Sequence, residues 1–591
     1  MPSFNDIQIK LNRLLPLPGN LPVVYLLGDT GAGKTCVVRQ LLGTTSQKFP
    51  SVKRFRTTVA PTEFIITNEP ELKAAFVFKE EEEVSRNVTE ILEQAVSVAT
   101  RDREAGEQES DLVDILGISE DERFKLGCFL SESVRENLAK RITAELVPRL
   151  HSWIRANFPN EEDHVVGIEL ALEDEFRLDI DNLRDEIMQN IRNLVYSCCG
   201  LPSAVGLPLE FSLVANDRRE FVEKLKQFLS VDEGSISPVI EKARIRGALR
   251  SAAIPKGCEL VIIDGEGIGH DAKESRVLSA RHMDYFNISD ALILVEDSEK
   301  PFTAGGKSAL NFIAKTGQLP KLCLAFSRLD RVETEREGKQ FQKRKVEQSL
   351  RNVLHALRDE DTTIEKGDMD IRYFSNMDQA EPDQETRQEL TSLLSGIEKK
   401  HGQAKARFVP PDYDFELLAA FLAQATTELR SNWAGYIQGE HGVRAEPWQR
   451  QKAFTFRMTW RRDEYKNLQP VAEFTERLIS KTHSFISNPQ RWADEISEAH
   501  KKNCLDQLKQ EISRQMLAYV REELLNEEHD RWTTAAAGLS GKGSMPIRRQ
   551  IIMEIIRDSA PELIGANASE FKDAMKRIIK SSIVECAKSR P

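Results

Sequence analysis

Val23-Val24-Tyr25-Leu26-Leu27-Gly28-Asp29-Thr30-Gly31-Ala32-Gly33-Lys34-Thr35 is an apolar run that passes directly into a glycine-rich turn. Five apolar residues in succession predict a strand buried on both faces, as in a parallel sheet. Residues 35–42 then read as a helix. A phosphate chain needs several backbone N–H donors converging on it, and side chains on Cβ crowd them. Gly28, Gly31 and Gly33 relieve that crowding, Thr30, Ala32 and Cys36 complete the loop, and the following helix turns its positive N-terminus toward the anion. The turn fits G-x-x-x-x-G-K-S/T, in which Lys34 bridges the β- and γ-phosphates and the Thr35 hydroxyl ligates Mg2+. Strand before and helix after give the match its weight. The loop alone does not separate GTP from ATP.

Downstream, the apolar run 260–263 ends in Asp264-Gly265-Glu266-Gly267, a D-x-x-G pattern. A carboxylate at a strand's C-terminal end reaches Mg2+ through water, and Gly267 can turn its N–H toward the γ-phosphate. By itself an Asp-Gly turn after a strand is ordinary; behind a phosphate loop it gains force. Between the two lies Arg56-Thr57-Thr58-Val59-Ala60-Pro61. Thr58, with Thr57 second, is the candidate to close over Mg2+ and the γ-phosphate, against the reading of a plain polar loop. A further apolar run, 322–326, ends in Ser327-Arg328-Leu329-Asp330. An aspartate there can accept two hydrogen bonds from the N1–H and exocyclic amine of guanine, a donor pair that adenine lacks.

These motifs resemble those of the P-loop GTPase superfamily, of its translation-factor-related class, whose base-reading motif is N/T-K-x-D. Ser327 keeps a hydroxyl where threonine is allowed, and Arg328 replaces a lysine that packs over the base, where a guanidinium plane can also stack. Ser375-Asn376-Met377 stands where the family's last base loop sits. The order from residue 20 to 400 resembles dynamin-like GTPases most, which also append long helices. The chain departs from them at Thr30-Gly31 and at Glu266, where they carry proline. The resemblance implies Lys34, Thr58 and Gly267 as catalytic groups, with Thr35, Thr58 and Asp264 at the metal. Ile268 stands where many such enzymes position water with glutamine. By resemblance, hydrolysis then depends on Mg2+, Lys34, backbone groups and a partner or second subunit.

The expected fold is an α/β P-loop GTPase domain, three-layered with a mostly parallel sheet, carrying a large helical insertion and an all-α C-terminal region. Residues 1–80 form its first part and 236–405 its second. Residues 62–67 and 74–79 read as a hairpin joined by a Glu-Pro turn. Val84, Val88, Ile91, Leu92 and Ala95, then Leu138, Ile142, Leu146, Leu150 and Ile154, recur at helical spacing and mark 81–235 as the insertion. Further strands are expected at 291–295 and 371–374. Pro410-Pro411 reads as a boundary before the helical domain 410–591.

The chain has 591 residues and carries 94 acidic against 82 basic residues, a formal charge of −12, which argues against a dedicated nucleic-acid coat. Eight cysteines without a CxxC pair exclude a zinc or redox framework and fit reduced thiols. No signal pattern and no membrane-length apolar run appear, so the expected location is cytoplasmic. Trp433, Trp448, Trp460 and Tyr465 lie near Arg457, Arg461 and Arg462. The cluster reads as a helical core flanked by solvated charge rather than a base-stacking surface. Phe571, Met575, Ile578, Ile579 and Ile583 share one side of the final helix, which reads as bundle packing ahead of lipid docking. Glu266, His270 and Asp271 read as a solvated switch loop, and Arg276 and Arg281 as surface arginines before arginine fingers. The function expected is a Mg2+-dependent GTPase whose nucleotide state moves its helical parts, with self-association and protein partners through the helical regions and membranes left open. Two alternatives stand: a P-loop ATPase with a helical effector module, and a slowly hydrolysing nucleotide-loaded scaffold.

Overall fold

The computed structural model describes residues 4–50, 60–105, 109–119, 124–160, 164–251, 254–255, 257–265, 267–268, 278–334, 338–359, 362, 364–402, 407–539, 543–563 and 566–588. Its centre is a nine-stranded sheet built from β1 (Val23–Leu27), β2 (Thr62–Ile66), β3 (Leu72–Phe78), β4 (Glu210–Ala215), β5 (Ile240–Gly247), β6 (Leu260–Asp264), β7 (Ala291–Asp297), β8 (Leu322–Ser327) and β9 (Asp370–Tyr373). The spatial order is β4-β3-β5-β2-β6-β1-β7-β8-β9. From β6 to β9 every pairing is parallel. On the other side β2–β6, β3–β4 and β3–β5 are antiparallel and only β2–β5 is parallel, so the sheet is mixed.

Alternation along β1 divides the interior. Val24 and Leu26 join a core with the helix Lys34–Leu42 and the helices of 81–199. Val23, Tyr25 and Leu27 join a second core that runs through the helices Ala280–Ile288, Ala304–Lys315 and Lys339–Arg358 into the C-terminal helices between 418 and 588. Helices thus cover both faces, because β6, β1, β7 and β8 are apolar on both faces up to their last one or two residues. Pro411–Asp412 pairs with Arg491–Trp492.

Two sequence expectations are corrected. β2 and β3 run in opposite directions but form no hairpin, since β5 lies between them and pairs with both. Five linking residues, 67–71, suffice to step over one strand at about 4.8 Å per spacing. Glu63 of β2 meets Lys242 Nζ at 2.7 Å and Arg244 Nε at 2.6 Å, both from β5, and this buried pairing holds β5 in place. Four of the eight residues of β5 are charged, which hides it from an apolar pattern search. The span 81–235 is not helical throughout: after the helix that ends at Cys199, β4 returns to the sheet edge before the helix Arg218–Leu229. Phe211 of β4, Phe76 of β3 and Phe228 of the helix Arg218–Leu229 stack there, with centroids 4.4 Å (Phe76–Phe228) and 5.5 Å (Phe211–Phe228) apart.

The aromatic and basic cluster of the C-terminal region is internal. Trp433, Trp448, Trp460 and Tyr465 are buried. Of the charge around them Arg461 is exposed, but the rest is not solvated: Arg457 donates to Glu90 at 2.7 Å, Arg462 pairs with Glu83 at 2.8 Å, and Lys452 lies 2.9 Å from Glu173. Each cation meets a carboxylate from the helical part, which offsets the cost of its burial. In the final helix, Ala566–Lys588, Phe571, Met575 and Ile579 are buried, and Phe571 stacks on Phe474 at 6.2 Å. Among the described residues no helix is long and apolar enough to cross a membrane.

His483, on the helix Pro470–Ile486, is buried with its Nε2 3.3 Å from the Lys509 carbonyl. Burial, with the Lys509 charge, pushes its imidazole down to about 3. Unfolded chains bind a proton below the ordinary value near 6.5, so folded stability must fall as pH drops from about 6.5 toward 3. We expect unfolding free energies from urea titrations at pH 6.5, 5.5 and 4.8 to fall, this group's slope steepening toward about 1.4 kcal/mol per pH unit. His483→Gln should flatten that slope; an unchanged profile in the variant would assign it elsewhere.

Candidate functional site

β1, β6, β7, β8 and β9 are mutually parallel, so their C-terminal ends share one edge, and the crevice at that edge is where open α/β sheets take their ligands. The loop after β1 turns at Gly31 (φ 85°) and Gly33 (φ 103°), left-handed conformations that side chains resist, and Gly33 starts the helix Lys34–Leu42. Gly28 (φ 147°) has no room for more: a Cβ there would lie 2.2 Å from the Val295 carbonyl oxygen of β7. Lys34 is buried, and its ammonium donates to the carbonyls of Gly28 (2.6 Å) and Asp29 (2.9 Å). Its charge is thereby folded into the loop it would serve. Thr35 is buried too, Thr30 is half-buried and Gly31 exposed. The amides of Ala32 and Cys36 are spent on Asp29 O and Gly33 O, and burial raises the Cys36 thiol.

Asp264 ends β6 and is buried. The segment beyond it touches the loop. A Cβ on Gly267 would stand 2.7 Å from Thr30 Oγ1, and Ile268 N donates to Gly28 O at 3.1 Å. Thr57, Thr58, Glu266, His270, Asp271 and Arg276 lie outside the described residues. Arg281 is described and is not a free surface arginine; it pairs with Glu464 at 3.5 Å.

At the far end of the crevice the strands β8 and β9 bring their loops together. Ser327 is buried and donates from Oγ to Ala32 O at 2.5 Å, joining β8 to the glycine loop. Leu329 N donates to Phe374 O at 3.0 Å, and Asn376 N donates to Asp330 Oδ1 at 2.8 Å. Ser375 N is held by Thr386 Oγ1 at 2.8 Å. Arg328 adopts a left-handed conformation (φ 55°, ψ 34°), and its Nη1 lies 2.5 Å from Asp297 Oδ2. All the residues singled out after β8 and β9 therefore gather beside the loop after β1.

Sequence reading missed several supports. Gln40, one helical turn past the loop, donates to Met377 O (3.0 Å) and Gln379 O (2.7 Å), fixing the loop after β9. Thr303 donates to Asp29. Glu296 is buried, accepts from Phe302 N at 2.8 Å, and is pushed up to about 8 by burial, with the nearby Asp29 and Asp297 charges adding to it. Tyr25 Oη lies 2.7 Å from His282 Nδ1. The two acids closing β7, Glu296-Asp297, were the one visible signal: charge at the end of a buried strand belongs to a site or a cap.

Sheet, strand ends and loops define an α/β protein whose candidate site lies at the carboxyl edge of its parallel half. No family model matches the chain, and no curated protein matches it significantly. It is similar to two solved structures of an oligomerised bacterial dynamin pair, described as providing a mechanism for long-range sensing and tethering of membranes. One aligns at 11% identity over 99% of this chain and 72% of its own, with a TM-score of 0.32. The other aligns at 10% identity over 99% and 76%, with a TM-score of 0.29. At so low an identity and TM-score, what this chain binds is argued from its own site.

Proposed function

We propose that this chain binds GTP with Mg2+ in the crevice after β1, hydrolyses it, and passes its nucleotide state to the helical regions. The observation that carries the reading is the buried Lys34 ammonium set between two loop carbonyls, at the edge where Asp264 and Asp330 also emerge. The donor set suits the group: a hydroxyl (Thr35) and a carboxylate (Asp264) are the hard oxygen ligands that Mg2+ takes, with Thr58 as the third ligand proposed. Bound Mg2+ would draw charge from the phosphate oxygens.

The rest falls to the chain itself. Lys34 neutralises charge building on the phosphates, and loop amides other than the spent one of Ala32 orient them. Gly267, against Thr30, presents backbone N–H to the terminal phosphate. Asp330 reads the base edge, with Ser327, Arg328, Ser375 and Asn376 around the purine. The helix Ala280–Ile288 is the proposed relay. Its His282 bonds to Tyr25 of β1, while its Asp284 accepts from Arg521 at 2.6 and 2.8 Å, and Arg521 also holds Asp463. A shift after Gly267 would strain bonds to the C-terminal helices directly.

Titration of the purified chain with GTP and ATP in Mg2+ tests the base. GTP should bind more tightly; Asp330→Asn should lose GTP affinity about a hundredfold and gain for xanthosine triphosphate, whose donor and acceptor pattern matches the amide. Equal or tighter ATP binding by the parent would defeat the guanine reading. Ile268, apolar where a polar group would orient water, favours the slow nucleotide-loaded scaffold as second reading. Turnover per molecule that rises steeply with protein concentration would instead support hydrolysis stimulated by self-association.

A further inference from the structure

Asp330 stands between two arginines and pairs with neither. Arg328 precedes it by two residues and Arg331 follows it directly, yet Arg328 is bound to Asp297 and Arg331 to Asp378 at 2.8 Å. Among the described residues no cation lies within ion-pair distance of the Asp330 carboxylate, whose Oδ1 accepts only the Asn376 amide. Such an arrangement is not what electrostatics gives by default, since an exposed aspartate flanked by two guanidinium groups is an easy partner for either.

We propose that Asp297 is a specificity-determining positioning residue, which acts by holding Arg328 off Asp330 so that the carboxylate stays open to the edge of a guanine base. The inference rests on the base-reading role of Asp330. Its geometry is well fixed. Asp297 closes β7 in register with Ser327 of β8, so its carboxylate sits beside the turn that begins at Arg328. Oδ1 accepts from Glu299 N at 3.0 Å, and Ser298 N donates to Ser327 O at 3.0 Å, so the backbone around Asp297 is tied on both sides. Oδ2 is left for the guanidinium. The left-handed backbone at Arg328 carries its side chain toward β7, and only 31% of that side chain is exposed. Fixed there, its plane can lie along a purine face while its charge is neutralised by Asp297. Asp378 does the same for Arg331, but that pair is 45% and 55% exposed, so solvent screens it and its share is the smaller.

Were Asp297 neutral, Arg328 would be free to turn to Asp330, two residues along the same turn, and occupy the oxygens the base needs. Phosphate binding rests on Lys34 and the glycine loop rather than on Asp297 or Arg328, so it is not what the change removes.

The test measures dissociation constants for GTP and ATP, each with Mg2+, in the full chain. Asp297→Asn keeps the shape and the acceptor for Glu299 N. It should lower the preference for GTP over ATP about tenfold, the weight of one charge-assisted hydrogen bond, while ATP, which makes no use of Asp330, still binds and reports an intact fold. Adding Arg328→Gln should restore much of the GTP preference, because the competing cation is gone; a merely structural loss at Asp297 would not be rescued. An unchanged GTP-to-ATP ratio in Asp297→Asn, or a double variant no better than the single one, overturns the inference while leaving the base reading intact. A parent chain without preference for GTP defeats the base reading itself, and this inference with it.

Discussion

Lys34→Ala is expected to weaken GTP and ATP alike by about a thousandfold, while lowering stability by only about 1 kcal/mol. The two numbers differ because the ammonium does two unequal jobs. In the structure it donates to Gly28 O and Asp29 O, two neutral acceptors in a loop whose crest, Gly31, is open to water. Losing those bonds costs little, since each carbonyl keeps a backbone donor, Ile268 N on Gly28 O and Ala32 N on Asp29 O. Against a triphosphate the same ammonium is one half of a buried, hydrogen-bonded charge pair, whose loss costs about 2–5 kcal/mol. Calorimetric titration and thermal unfolding of one sample separate the two. Affinity within roughly threefold of the parent would mean that the loop does not hold the phosphates, and the functional reading would fall with it. A large loss of stability with affinity retained would make Lys34 a structural cap.

The parallel half of the sheet was legible in the sequence because it is apolar on both faces. Runs such as 260–263 and 322–326 have no solvent side, so hydrophobicity alone marks them, and the residue after each run falls at the ligand edge. The other half was not legible. β5 buries Lys242 and Arg244 against Glu63, and a pattern search reads a strand with four charges as surface. β4 escaped because, at the sheet edge, its exposed face carries the apolar Val214 beside Ser212, which hides the alternation from the sequence. Within the site, residues in the turns themselves could be named from spacing. Asp297, Gln40 and Thr303 could not, since each reaches the site from an element whose neighbours in space are set by sheet order rather than by distance along the chain.

Arg244→Ala should lower stability by about 3–5 kcal/mol, the cost of breaking a buried ion pair from one side. The guanidinium is fully buried and has four partners: Glu63 Oε2 at 2.6 Å, Asn12 Oδ1 at 2.6 Å, Leu15 O at 2.7 Å and Gln8 Oε1 at 2.8 Å. Alanine leaves all four facing a cavity and leaves Glu63 to Lys242 alone. The same residue ties three parts of the sheet end together, because Gln8 and Asn12 belong to the helix Phe4–Leu14 that packs on β3. The change should also appear in acid. Burial would raise the Glu63 carboxyl, but Lys242 and Arg244 outweigh it and hold it at about 2. A carboxylate depressed in this way stabilises the fold fully above its unfolded value near 4.5, and the contribution drains away as pH falls toward 2. With Arg244 gone the folded value moves back up, less of that contribution exists to be lost, and acid unfolding begins at higher pH from a lower plateau. Urea midpoints at pH 7 and at pH 4 distinguish the outcomes: a variant within about 1 kcal/mol of the parent at pH 7 would show that the pairing of β5 between β2 and β3 does not depend on this cation.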